Sequence, residues 1–104
     1  MASTREGRIR AGKFIRSLRI KAGLTHLKFA QQTGIGTYTR ISRIESGEDR
    51  LPPQSHRAAA KALGIAGNKF AKAMLYFYEP EWFMSLFPGE LSSLLLEDDQ
   101  LEDT

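Results

Sequence analysis

Leu24-Thr-His-Leu-Lys-Phe-Ala-Gln-Gln-Thr-Gly34 and Ile35-Gly-Thr-Tyr-Thr-Arg-Ile-Ser-Arg-Ile-Glu-Ser-Gly47 read as two short helices joined by a glycine turn. Thr25 can cap the first, because its hydroxyl can accept from one of the free N–H groups at a helix start. Leu27 and Ala30 supply its apolar face, with Phe29 beside it. Gly34 stops it, since glycine takes the positive φ that helix C-termini often need. Thr37 can cap the second helix, which ends before Gly47.

The second helix carries the information. With Ile41 at zero and about 100° per residue, Ile44 falls at about 60° on one side and Glu45 at about 40° on the other. Thr39 and Arg43 fall near the opposite pole, at about 160° and 200°. Arg40, Ser42 and Ser46 flank them. One face is apolar; the other carries hydroxyl and guanidinium groups. An ordinary surface helix has the same periodicity, but this outer face also matches what a DNA major groove requires: side chains that hydrogen-bond to base edges and phosphates.

Beyond this stretch, residues 11–47 resemble the lambda-repressor/Cro-type (xenobiotic-response-element) helix-turn-helix regulators. The matching pieces are Gly12-Lys-Phe-Ile-Arg-Ser-Leu-Arg19, Gly23-Leu24-Thr25, Phe29-Ala30 with Gly34 four residues on, and Ile41-Ser-Arg-Ile-Glu-Ser-Gly47. The resemblance implies an all-α, five-helix lambda-repressor-like DNA-binding domain, here with a C-terminal helical extension. It implies base contacts from Tyr38, Thr39, Ser42 and Arg43. Phosphate or orienting contacts are expected from His26, Gln31, Thr37, Arg40 and Arg50. It also implies a structural ion pair between Arg19 and Glu45, and an inward-facing carboxylate needs such a partner. Two departures stand out. Gly34 and Ile41 enclose six residues where the family usually has five, which puts an extra residue in the turn around Gly36. His26 stands where the family usually has glutamine; a neutral imidazole can still donate one hydrogen bond to a phosphate.

The charge distribution points the same way. Residues 1–72 hold all 15 Lys and Arg against four acids, a local charge of +11, whereas residues 73–104 hold eight acids and no base. A basic body attracts polyanions, and double-stranded DNA is the expected partner. With 104 residues and no cysteine, the chain suits one domain without disulfides or thiolate metal sites. No apolar run of spanning length or signal peptide is visible, so a cytoplasmic protein is expected, with no membrane role. No nucleophile motif, phosphate-cradling loop or metal-ligand spacing suggests an enzyme, and no cofactor is expected.

Three regions are expected: a helix-turn-helix domain over 1–67, opening with a flexible basic arm at 1–8; an aromatic-rich helical extension over 68–96; and a disordered acidic tail over 97–104. Within the first, a helix is expected over 10–22, from the apolar spacing of Ala11, Phe14, Ile15, Leu18 and Ala22. An alanine-rich helix is expected over 53–63, and another over 68–79 with Asn68 as its cap. The extension's Phe77, Trp82, Phe83, Leu86, Phe87, Leu91, Leu94 and Leu95 are expected to build a homodimer interface, since such interfaces are rich in aromatic side chains. The expected function is a dimeric repressor reading an inverted-repeat operator through helix 37–46. The alternative is an antitoxin-like protein whose C-terminal third binds a protein partner while the helix-turn-helix autoregulates.

Overall fold

A computed structural model describes residues 3–90, all of whose regular elements are helical. They are α1 (Arg5–Lys21), α2 (His26–Thr33), α3 (Tyr38–Ser46), α4 (His56–Leu63), α5 (Gly67–Tyr78) and α6 (Pro80–Leu86), with a single 3₁₀ turn at Pro53–Ser55 leading into α4. Leu91, Leu94, Leu95 and the acidic tail lie outside the described residues.

Threonine starts three of these helices. The Thr4, Thr25 and Thr37 hydroxyls accept from the backbone N–H groups of Gly7, Lys28 and Arg40 at 3.0, 3.1 and 3.4 Å. Each occupies a free donor of the first turn. The connection between α2 and α3 takes two left-handed glycines, Gly34 at φ 77° and Gly36 at φ 91°. The Gly36 N–H returns to the Ala30 carbonyl at 3.1 Å. Between α5 and α6 the break is Pro80, which lacks an N–H and pushes the preceding Glu79 out of the helical region, to φ −137°, ψ 65°.

The core collects Phe14, Ile15 and Leu18 of α1, Phe29 and Ala30 of α2, Ile41 and Ile44 of α3, Leu51, the alanine face of α4, and Phe70, Met74, Phe77 and Tyr78 of α5. In α2 the inward residues are Phe29 and Ala30, while Leu27 is half exposed. The expected Leu27 face is therefore turned by about one position.

Four expectations change. α1 begins at Arg5, so residues 5–8 are helical and not a loose arm. Beyond the Thr4 cap, its first turns are held by tertiary contacts: Arg8 Nε donates to the Gly47 carbonyl at 2.9 Å, and Arg10 stacks over the Tyr76 and Phe77 rings. Second, α5 packs into the same core as α1, so no boundary falls at residue 67. Third, Phe77 and Phe83 are buried within their own chain, which removes them from any intermolecular surface. Fourth, Ala66 and not Asn68 precedes α5; Asn68 sits inside its first turn, with its side-chain oxygen accepting from Lys69 N–H.

Candidate nucleic-acid interface

Three elements position α3. α2 and α1 pack against it, and the loop after Gly47 turns back beneath its C-terminus. The approach to α1 is unusually close at Gly12, where a Cβ would collide with the Glu45 carbonyl oxygen. Only a residue without a side chain allows the two backbones to meet there.

A buried ion pair crosses this contact. Arg19 Nε lies 2.6 Å from Glu45 Oε2, and the second nitrogen of the guanidinium fork, Nη2, lies 3.2 Å from Oε1. Both side chains are over nine-tenths buried. The remaining Arg19 nitrogen donates to the Leu24 carbonyl at 2.7 Å, so one side chain ties α1 to the start of the motif and to α3. Bidentate, charge-assisted geometry of this kind is both strong and directional. His26 completes the cluster. Its Nε2 is 3.2 Å from Glu45 Oε1 and 3.2 Å from Arg19 Nη2. Arginine can only donate and a carboxylate can only accept, so one proton placement on Nε2 satisfies one neighbour and not both. His26 is therefore built into the support of α3 as well as standing at the start of α2.

Ile41, Ile44 and Glu45 are buried, whereas Tyr38, Thr39, Arg40, Ser42, Arg43 and Ser46 are exposed. The division follows the helical phases expected from the sequence. Gln31 and Thr37 are also exposed, and the Thr37 hydroxyl is used for capping. Among the described residues, the loop acids add a feature that the sequence reading missed. Glu48 and Asp49 each bring a carboxylate oxygen within 3.6 Å of Arg43 Nε. Their N–H groups both point to the Arg43 carbonyl, at 2.9 and 3.1 Å, which folds the loop under the end of α3. The signal was available: two acids directly follow the αL glycine that closes the helix.

Arg50 does not face the same way. Its guanidinium bonds Glu79 at 3.0 Å and lies 4.7 Å over the Tyr78 ring. Tyr78 in turn accepts from the buried Leu51 N–H at 2.9 Å. Arg50 thus pins the loop to the end of α5, a pairing that competes with its expected phosphate contact. His56 sits nearby, with Nε2 3.3 Å from the Leu51 carbonyl. Burial holds its pKa below the usual 6.5, assisted by the Arg50 charge and opposed by the Leu51 carbonyl. Burial likewise raises the Tyr78 phenol above its usual 10.0, against the opposing effects of the Leu51 hydrogen bond and nearby arginines.

Two helices crossing through a glycine turn, with the second locked from behind and polar in front, define a DNA-binding helix-turn-helix. The model of a family described as Helix-turn-helix domain matches residues 10–73, more than half of the chain. The chain belongs to this family, of the Cro/lambda-repressor-like type. The match runs from α1 into α5. No curated protein gives a significant match. No helix among the described residues is long and apolar enough to cross a membrane. Also among the described residues, no cluster of His, Asp or Glu could hold a metal ion.

Proposed function

We propose that the protein is a sequence-specific transcriptional regulator, a non-enzymatic repressor that occupies an inverted-repeat operator as a homodimer. α3 enters the major groove. Thr39 and Arg43 read base edges, with Tyr38 and Ser42 beside them. His26, Gln31, Thr37 and Arg40 contact phosphates or orient the readers. The observation that carries this reading is the division of α3: an outer face without buried or apolar commitments, on a helix whose inner face is fixed by Ile41, Ile44 and the Arg19–Glu45 pair. A rigidly held reader is what base discrimination needs, because hydrogen bonds to base edges are intolerant of misplacement.

One such unit reads few base pairs, and pairing two on half-sites about 34–36 Å apart supplies the missing information. The surface that supports pairing is α6, where Trp82, Met84 and Leu86 are all substantially exposed. Met84 joins the set expected from sequence; Phe77 and Phe83 leave it. The same exposed face suits a different protein, which is the antitoxin-like reading. That reading requires a chain that gains its stability only when the partner is added.

Arg43→Ala tests the assignment of α3. It should cost about 1–3 kcal/mol at the preferred site and relax the preference at one base pair. The Glu48 and Asp49 pairs do not block this role, since they are long and exposed and exchange readily for a better-matched acceptor. Unchanged affinity and unchanged preference would remove Arg43 from the contact surface.

A further inference from the structure

On the molecule's C-terminal side, α5, the end of α6 and the Pro53–His56 turn line an open pocket of about 490 Å³. That volume falls within the range of small-molecule sites, about 300–1,000 Å³. Ala71, Met74 and Leu75 of α5 and Leu86 and Phe87 from the α6 end give it apolar walls. The helix-turn-helix does not use it. Its cations are unequal. Arg50 is committed to Glu79 and to the Tyr78 ring, as described above. Lys72, on the α5 rim, stands 4.7 Å from the centre of the Phe87 ring and holds the Glu90 carboxylate, Nζ to Oε1, at 2.6 Å. Glu90 is nearly half exposed, so this pair is only weakly held against exchange.

We propose that this cavity is a binding site for an amphipathic monoanion, a medium-chain carboxylate whose tail fills the apolar space and whose headgroup replaces Glu90 on Lys72. Glu90 marks the headgroup position with the same functional group. The apolar walls reject a ligand that is polar throughout, since its polar groups would lose water without gaining partners. A cationic headgroup is disfavoured by Lys72 itself. Leu86 belongs both to the cavity wall and to the exposed face of α6, so an occupant braces that face from behind.

Trp82, the chain's one tryptophan, lies on α6 outside the cavity lining, so its emission reports on the site only indirectly and calorimetry is the deciding readout. Decanoate is titrated into the DNA-free, full-length protein below its micelle threshold, followed by tryptophan emission and by calorimetry. Decanol and acetate serve as the tail-only and headgroup-only probes. Saturable decanoate binding is expected, with Lys72→Met weakening it about tenfold, the usual loss with one charge-assisted hydrogen bond. Ala71→Phe, which fills the cavity, should abolish binding while far-UV circular dichroism and melting temperature stay near the parent's. Acetate should not saturate, and decanol should bind about tenfold more weakly than decanoate. Absence of saturation with decanoate overturns the proposal. So does equal binding by Ala71→Phe, or decanol binding as tightly as decanoate. Since no DNA is present, none of these outcomes bears on the proposed operator binding.

Discussion

Glu45 places a carboxylate on the inner side of a helix, where desolvation is costly unless a charge faces it. Arg19 supplies that charge with a two-pronged contact. Removing one member of such a pair leaves the other buried and unmatched. Glu45→Ala should therefore lower stability by about 3–5 kcal/mol, read as a clear drop in melting temperature. A change within experimental error would mean that the pair contributes nothing to holding α3. His56 makes a second residue-scale prediction. Because its folded pKa is depressed, the unfolded chain binds a proton first as pH falls. Its contribution is fully present above the unfolded value near 6.5 and is lost as pH falls through the folded value. The parent's melting temperature should fall more between about pH 7.5 and about pH 5.5 than that of His56→Gln. Equal falls in the two proteins would show that His56 titrates alike in both states. The inward position of Glu45 was legible from a helical wheel. Arg50's pairing with Glu79 was not, because the two are 29 residues apart and nothing local links them.

At the scale of elements, α1 and α3 are held nearer than side chains normally allow. Gly12 makes this possible against Glu45, and Gly7 does the same against the Phe77 carbonyl of α5. Gly12→Ala must push α1 and α3 apart, because its obstacle is backbone and not a side chain that can rotate away. The expected cost is about 1–3 kcal/mol, as for other overpacked cores, with weaker DNA binding as α3 shifts. Melting temperature and affinity equal to the parent's would contradict the close contact. Helix positions themselves were largely readable, since threonine caps and αL glycines act within a few residues. The start of α1 was readable in part, since Thr4 caps it locally, but its first turns are also held by Gly47 and the α5 rings, far away in sequence. The assignment of aromatics divided on the same ground. Dense aromatic composition reveals a surplus of apolar area, but whether Phe83 faces inward and Trp82 outward depends on how α6 folds back after Pro80.

Across the whole molecule, all 15 basic residues fall in the first 72 positions, the stretch that carries a motif whose reading face is polar and open. Charge of this kind supplies salt-sensitive affinity for any DNA; in the proposed reading α3 adds preference for a sequence. In the proposed function both operate, with two copies reading one operator. The most direct measurement is selection of binding sites from random duplex DNA by the full-length protein, followed by affinity measurements across a salt series. The predicted result is an enriched inverted repeat whose half-site centres lie about one helical turn apart, bound by two chains and preferred over random DNA at every salt concentration. Recovery of no enriched sequence, with affinity for all DNA vanishing alike as salt rises, would contradict it.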